Sequence, residues 1–163
     1  MKKAIVFLAV LFFSTHAQAQ NAGNVVNTYL STSCDSVELY IPIGATKGTA
    51  QYLVSQTSLK RSEQSTATSD TYATEDGKLM LIVAYTENKV STVFLFIAYD
   101  KNYEAIRAKN AVNTGLEQAH GEVNSTTEYY HQVCDHGTYV RRANVSELRK
   151  GAYYLNLSII KIK

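Results

Sequence analysis

The 163-residue chain is poor in the residues and motifs that mark several classes of protein, with only two cysteines and one proline. It contains no G-x-S-x-G, P-loop or G-x-G-x-x-G motif, so no local signature indicates a hydrolase elbow or a phosphate-binding loop. The single proline argues against a long disordered segment. There is no internal repeat or Pro-rich linker, so nothing in the sequence divides it into several units.

The N-terminal segment MKKAIVFLAVLFFSTHAQAQ has the pattern of a secretory signal peptide. Two lysines precede an apolar run from Ala4 to Phe13 that is too short to span a bilayer, and Ala17-Gln-Ala19 is a small-x-small cleavage site. No cysteine lies at the cleavage point, so a lipid anchor is not expected. We expect residues 1–19 to be removed and residues 20–163 to form one β-rich domain in the periplasm or outside the cell.

The mature chain, without this segment, also lacks an excess of charge of either sign. The whole chain has 16 Lys and Arg against 14 Asp and Glu. The signal peptide takes two lysines with it, so 16 minus 2 leaves 14 against 14. A nearly neutral protein does not offer the broad basic surface that nucleic acids need. The C-terminal quarter is locally basic in a pattern typical of a solvated strand face: Arg141, Arg142, Arg149, Lys150, Lys161 and Lys163.

Most of the mature chain has the composition and alternation of β-strands. The two most apolar segments are separated by four polar residues, which predicts a hairpin buried on much of both faces, as in the middle of a sandwich. The polar stretch 58–70 lacks periodicity and predicts a loop. The predicted strands are Val37–Ile43, Ala50–Gln56 as a weaker candidate, Lys78–Tyr85, Val90–Tyr99, Thr126–Val133, Thr138–Arg142 and Ala152–Ile162.

One segment has a helical rather than a strand pattern. Between residues 102 and 122 apolar residues recur at spacings of three and four, which predicts an amphipathic helix with Gly115 in its middle. A second short helix is predicted where Asn144-Val-Ser-Glu147 resembles a capping box and Gly151 follows. The predicted fold is mainly β, an antiparallel, jelly-roll-like β-sandwich with a helix around 102–122. The alternative is an α+β fold with an antiparallel sheet.

The stretch HQVCDHGTYVRR, residues 131–142, combines two histidines with one of the two cysteines. In an oxidising compartment Cys34 and Cys134 are expected to form a disulfide, which closes a loop of about 100 residues and contributes about 4–5 kcal/mol in the chain-entropy model. Gly137 then belongs to the turn of a β-hairpin behind that disulfide. A catalytic thiol with His131 or His136 as its base is the alternative.

A metal site is the other chemical interpretation of the same stretch. His131, Cys134 and His136, with His120 as a fourth ligand, do not have the spacing of the usual zinc motifs. On a strand, residues 134 and 136 share a face and residue 131 points the other way, so joint ligation needs a bulge or a turn. We therefore expect neither a metal nor another cofactor.

Four segments resemble the bacterial pre-peptidase C-terminal type of β-sandwich. They are DTYATEDGKLMLIV (70–83), VFLFIAYDKN (93–102), HGTYVRR (136–142) and GAYYLNLSI (151–159). That family has an Asp-x-Tyr strand, a glycine turn into an apolar strand, a strand ending in Asp, then Gly-Thr-Tyr and a final Gly-x-Tyr-x-Leu strand. The resemblance covers about residue 47 to the C-terminus, and it does not account for segment 102–123.

Within this family, the exported inhibitors of animal-type lysozymes are the most similar. They carry a Ser-Gly-x-Tyr loop that enters the lysozyme cleft, followed by a stretch that contains an arginine. Gly137 and Tyr139 match the loop, His136 stands in place of the serine, and Arg142 or Arg149 matches the arginine. The resemblance therefore implies a binding loop made of these five residues.

We expect from these observations an exported protein that acts by binding a protein partner, as an inhibitor of lysozyme or another cell-wall hydrolase. The alternatives are a periplasmic immunity protein, a secreted adhesion or carbohydrate-binding module and, from another class, a small Cys/His hydrolase. Tyr139 has two interpretations: it is an exposed aromatic anchor in a rigid loop, or it is the first core residue of a strand.

Overall fold

The computed structural model describes residues 29–30, 38–120 and 129–162, and it is mainly β, with 49% strand and 24% helix. Nine strands and two helices follow one another along this part of the chain. They are β1 (Glu38–Leu39), β2 (Ile41–Pro42), α1 (Lys47–Ser55), β3 (Lys60–Arg61), β4 (Ser69–Ala73), β5 (Leu79–Thr86), β6 (Lys89–Tyr99), α2 (Asn102–His120), β7 (Tyr129–Cys134), β8 (Gly137–Arg149) and β9 (Ala152–Lys161).

Seven of the strands form one antiparallel sheet in the order β3-β4-β5-β6-β9-β8-β7. The first four strands form one meander and the last three another, and α2 connects the two. The mainly β class is therefore confirmed. Within the described residues these seven strands form one sheet that is not closed into a barrel, and β1 and β2 form a separate two-stranded sheet. The topology also places β3–β4 and β7–β8 at opposite edges of the sheet.

The hydrophobic core lies between one face of this sheet, the inner face, and the two helices. Residues directly opposite one another in register share a face, as Leu81 and Leu95 do, and these two side chains are fully buried. Ala50 and Val54 of α1 and Val112 and Leu116 of α2 belong to the same cluster of buried residues. The opposite, outer face is only half-buried, at Met80, Ile82, Phe94 and Phe96.

The apolar hairpin predicted from residues 78–99 is confirmed as β5 and β6. Its turn residues Glu87 and Asn88 both have positive φ angles, 51° and 61°, as a two-residue type I′ turn requires. A turn of this type matches the twist of the strands on either side of it. The last strand, predicted over 152–162, is likewise confirmed as β9.

The helix predicted around 102–122 is confirmed as α2 over Asn102–His120, and the residues after it, up to 128, lie outside the described part. Gly115 allows α2 to approach the N-terminal segment closely. A Cβ at this position would lie 2.9 Å from Cδ1 of Leu30.

The weak strand predicted at Ala50–Gln56 is wrong, because this segment belongs to α1. The hydroxyl of Thr46 caps the helix by accepting a hydrogen bond from the backbone N–H of Thr49 at 3.2 Å. The helix buries Ala50 and Val54, which are four residues apart, on one face and leaves Tyr52 exposed. A strand would place all three side chains on the same face.

Two further predictions are corrected. The strand predicted over Val37–Ile43 is interrupted at Tyr40, whose φ of 70° turns the chain so that β1 and β2 pair with each other. The short helix predicted from Asn144 does not form, because β8 continues to Arg149 and pairs with β9. Gly151, with a φ of 79°, lies in the β8–β9 turn instead of ending a helix.

Candidate functional site

The stretch HQVCDHGTYVRR forms the β7–β8 hairpin, as predicted from its glycine. Cys134 pairs with Gly137, so Asp135 and His136 are the two residues of the turn. Both turn residues are exposed. The hairpin lies at one edge of the sheet, since β7 is the last strand in the order.

Alternation along the hairpin separates the residues of the candidate metal and thiol sites. Gln132 and Cys134 lie on the inner face, whereas His131 lies on the outer face and is exposed. His120 is the last residue of α2, and its side chain lies outside the described part. No group of three or more His, Cys, Asp or Glu residues that could hold a metal ion occurs among the described residues.

Tyr139 has its ring in the core, with only 1% of its surface exposed. The His136 ring lies edge-on at 5.7 Å between centroids, and Lys161 Nζ lies 6.0 Å from the ring centre. Burial raises the pKa of the Tyr139 hydroxyl. Tyr139 is therefore a core residue of the strand, and its ring is not an exposed anchor.

The other residues of the predicted binding loop are less buried. His136 and Arg142 are exposed, and Gly137 is half-buried. Arg149 is the last residue of β8, and its side chain lies outside the described part.

Only one cysteine of the predicted disulfide falls within the described residues. Cys134, at the end of β7, is half-buried and packs against the core. Cys34 lies outside the described residues, and there is no free cysteine within them. The Cys34–Cys134 bridge stays a prediction.

The neighbouring Arg141 is not part of a solvated face, which corrects the interpretation given to the basic C-terminal quarter. Its side chain is fully buried on the inner face. Nε donates to Oε1 of Gln132 at 2.9 Å, and Nη1 donates to the backbone carbonyl of Tyr29. Nη2 has no hydrogen-bond partner within the described residues. The Tyr29 ring centre lies 5.7 Å from the guanidinium carbon. Burial lowers the pKa of Arg141.

Four side chains form a surface on the outer side of the hairpin, which we call the hairpin patch: Tyr129, His131 and Val133 of β7 and Arg142 of β8. The rings of Tyr129 and His131 are 5.1 Å apart, and Tyr129 pairs with Arg142 in register. Val133 is 76% exposed, the largest exposed fraction among the described large hydrophobic residues. The patch therefore combines an apolar, an aromatic and a cationic group in contact with solvent.

A second cluster, at the opposite edge of the sheet, is centred on Asp70, a residue that the sequence marks only through the Asp-x-Tyr resemblance. The carboxylate is completely buried, and it accepts four hydrogen bonds. Nε and Nη2 of Arg61 donate to Oδ1 at 2.9 and 2.6 Å. Nε2 of Gln51 and the hydroxyl of Tyr85 donate to Oδ2 at 3.0 and 2.9 Å. Asp70 therefore ties α1, β3 and β5 together.

The electrostatics of this cluster favour the ionised form of Asp70. Burial acts to raise the pKa of the carboxyl, but the hydrogen bonds from Arg61, Gln51 and Tyr85 outweigh it, so the pKa lies below its usual value. Burial and the nearby Asp70 charge raise the pKa of Tyr72 to about 12. The Tyr72 hydroxyl is buried, and no residue in the described part of the chain forms a hydrogen bond with it.

An open pocket of about 410 Å³ lies next to this cluster, between α1 and the edge formed by β3 and β4. Arg61 is the charged residue of its wall, and its side chain is 52% exposed. The complete lining is Gln51, Val54, Ser55, Leu59, Arg61 and Tyr72. Its volume lies within the range of about 300–1,000 Å³ that is usual for ligand pockets.

Comparisons of the chain with protein-family models, with curated proteins and with solved structures find no match. Within the described residues, neither helix has the length and apolar character needed to cross a membrane.

Proposed function

We propose that this chain is an exported binding protein and that it engages a partner protein through the hairpin patch. The observation that carries the proposal is the exposure of Val133, 76%, on the same face of the hairpin as the Tyr129–His131 ring pair and the exposed Arg142. Tyrosine and arginine are the residue types that most often dominate binding energy at protein interfaces. The solvent-exposed Val133, at the turn end of the same face, supplies apolar area to bury.

The hairpin supports this role because its inner side is anchored in the core. Tyr130, Tyr139 and Arg141 are all buried on that side. The Tyr130 hydroxyl also donates to the backbone carbonyl of Asn113 in α2 at 3.1 Å. A patch on a fixed hairpin loses little conformational entropy when it binds, so more of its contact energy contributes to affinity.

The charges of the patch favour a partner that presents carboxylates. The Arg142 guanidinium is exposed, and it can pair with a carboxylate in a bidentate way. Glycoside hydrolases have two catalytic carboxylates in an open cleft. This agrees with the inhibitor function implied by the sequence resemblance, with the difference that the contact is made by Arg142 and its neighbours, not by the buried Tyr139.

Inhibition assays of the mature protein against c-, g- and i-type lysozymes test this function. We expect inhibition of at least one type, and we expect Val133→Asp and Arg142→Glu each to weaken it by about tenfold or more, because each removes an exposed contact of the patch. Ile106→Asp is the matched control, since it places the same charge at an exposed aliphatic residue of α2. Inhibition that survives both patch variants would refute the proposed surface.

Site-specific photo-crosslinking extends the test beyond lysozymes. A photoreactive amino acid at position 133 is compared with the same group at position 106 in cells that export the protein. A hydrolase crosslinked from position 133 alone supports the inhibitor function, and a toxic effector encoded beside the gene supports the immunity alternative. Equal crosslinking from both positions, together with no lysozyme inhibition, would refute protein binding by the hairpin patch.

A further inference from the structure

The pocket at the β3–β4 edge lies at the opposite side of the sheet from the hairpin patch, and the proposed function makes no use of it. Its polar wall is prearranged by a buried group. Asp70 is completely buried, and its Oδ1 accepts hydrogen bonds from both Nε and Nη2 of Arg61. A guanidinium has five N–H groups, so these two bonds leave three for other acceptors. The half-exposed Arg61 therefore presents oriented donors to the pocket.

Tyr72 adds a second unsatisfied donor to the same wall. Its hydroxyl is buried without a hydrogen-bond partner among the described residues, and the residue lines the pocket. Because its pKa is raised to about 12, the hydroxyl keeps its proton throughout the physiological pH range. Buried hydroxyl groups are usually hydrogen-bonded, and this one, next to an open pocket, can donate to an acceptor that a ligand supplies.

The hydrogen bonds that Asp70 already accepts argue against a cationic ligand. Both of its oxygens already accept two hydrogen bonds, from Arg61 on one side and from Gln51 and Tyr85 on the other. A cationic ligand would thus find no free lone pair of this carboxylate in a direct approach. A planar carboxylate, by contrast, matches the remaining fork of Arg61 in a bidentate way.

The rest of the lining limits the size and polarity of the ligand. Val54 and Leu59 are apolar and nearly completely buried, and they suit a small apolar body. Arg61 is the single cationic residue among the lining residues, and Asp70 already balances its charge. One balanced guanidinium suits a singly charged group better than a dianion such as phosphate.

We propose that the pocket between α1 and the β3–β4 edge binds a small monocarboxylate. The carboxylate pairs with the free edge of Arg61 and accepts a hydrogen bond from Tyr72, and the apolar body of the ligand lies on Val54 and Leu59. This site is independent of the hairpin patch.

Titration of the mature ¹⁵N-labelled protein with benzoate, followed by two-dimensional NMR, tests the proposal. Benzamide is the uncharged analogue of the same shape, and acetate carries the carboxylate without the ring. We expect saturable shifts at the amides of Val54 and Ser55 with benzoate at millimolar concentrations. We expect binding at least about tenfold weaker for benzamide and for acetate, since each lacks one of the two recognised parts.

Three variants separate the pocket from general electrostatics. Tyr72→Phe keeps the ring and removes the donor, and Arg61→Lys keeps the charge and a partner for Asp70 but removes the fork. We expect each to weaken benzoate binding by about tenfold. Lys60→Gln is the matched control, because Lys60 adjoins Arg61, is exposed and pairs only with Glu75 at 3.4 Å among the described residues. Its binding constant is expected to equal that of the wild type.

Several results would overturn the proposal. No saturable shift with benzoate, or equal binding of benzoate and benzamide, excludes a carboxylate site. Equal binding of acetate and benzoate excludes the apolar subsite. A loss of binding in Lys60→Gln as large as in Arg61→Lys shows attraction to positive charge alone. Because these readouts do not involve the hairpin, Val133→Asp leaves them unchanged, and the two proposals fail independently.

Discussion

Removal of the buried carboxylate at position 70 is expected to be among the most destabilising single substitutions in the protein. Asp70→Ala deletes the acceptor of four hydrogen bonds in a completely buried position. Arg61 is half-exposed, so water can solvate its guanidinium after the change, and the loss of its ion pair with Asp70 costs little. The Tyr85 hydroxyl is buried and loses its acceptor, which costs about 1–3 kcal/mol. The half-buried Gln51 amide also loses its acceptor, so we expect a total of about 2–4 kcal/mol.

The matched control is Glu75→Ala. Glu75 pairs with Lys60 at 3.4 Å, and its side chain is 89% exposed. An exposed pair of this kind contributes about 0–1 kcal/mol, so its loss is expected to be hardly measurable. Urea unfolding at neutral pH, followed by circular dichroism, gives both free energies. If Asp70→Ala costs no more than Glu75→Ala, the Asp70 cluster does not hold α1, β3 and β5 together.

The same group makes a prediction about pH. The pKa of Asp70 is lower in the folded than in the unfolded protein. Its stabilising contribution is therefore complete above the unfolded pKa of about 3.9, and it is lost as the pH falls through the folded pKa. The difference in stability between the wild type and Asp70→Asn is expected to be largest at neutral pH and to shrink in acid. A difference that stays constant from neutral pH to below about pH 3 would contradict this assignment.

Three further predictions concern other parts of the molecule. Tyr139→Ala removes a buried aromatic side chain and is expected to cost about 3–5 kcal/mol in thermal or chemical unfolding; a change below about 1 kcal/mol would show that the ring is not part of the core. Gly115→Ala is expected to be nearly neutral, because a gain of about 1 kcal/mol in helix propensity offsets a small displacement of the Leu30 side chain. Gly115→Val adds bulk against the same side chain and is expected to cost about 1–3 kcal/mol in the same assay; a Val variant as stable as the Ala variant would contradict this contact. Thiol titration of the unfolded, unreduced protein is expected to find no free sulfhydryl, because Cys34 and Cys134 are expected to be bridged; two free thiols would refute the disulfide.

The parts of the fold that follow from the sequence are those with a strong local pattern. The β5–β6 hairpin combines two long apolar runs with Glu87-Asn88, and α2 repeats its apolar stripe over several turns. Helix α1 was missed because nine residues allow little more than two turns, in which a helical stripe and a strand alternation share positions such as Ala50 and Val54. The end of β8 was missed because Asn144-Val-Ser-Glu147 is a valid capping signal locally, and only pairing with β9 overrides it.

The hairpin of the candidate site was predictable, whereas the direction of its side chains was not. Arg141 and Arg142 are identical neighbours, and alternation requires that they lie on opposite faces. Which of them is buried depends on the layer that covers the inner face, and that layer includes Tyr29, more than 100 residues away in sequence. The burial of Asp70 could not be predicted from the sequence for the same reason. This residue ends a polar stretch and has no local sign of burial, because its partners Gln51 and Tyr85 come from other elements.

Each of the two candidate sites lies near a buried charged side chain, and the two charges differ in their hydrogen-bond partners. Asp70 is balanced by Arg61 and by two neutral donors, so its pKa falls although it is buried. Arg141 has neutral partners, Gln132 and the Tyr29 carbonyl, and one nitrogen without a hydrogen bond to any described residue, so burial lowers its pKa. The hairpin edge therefore carries a cation without a neighbouring described anion, while the pocket edge is close to neutral. This difference favours an acidic protein surface for the hairpin patch and a singly charged small ligand for the pocket.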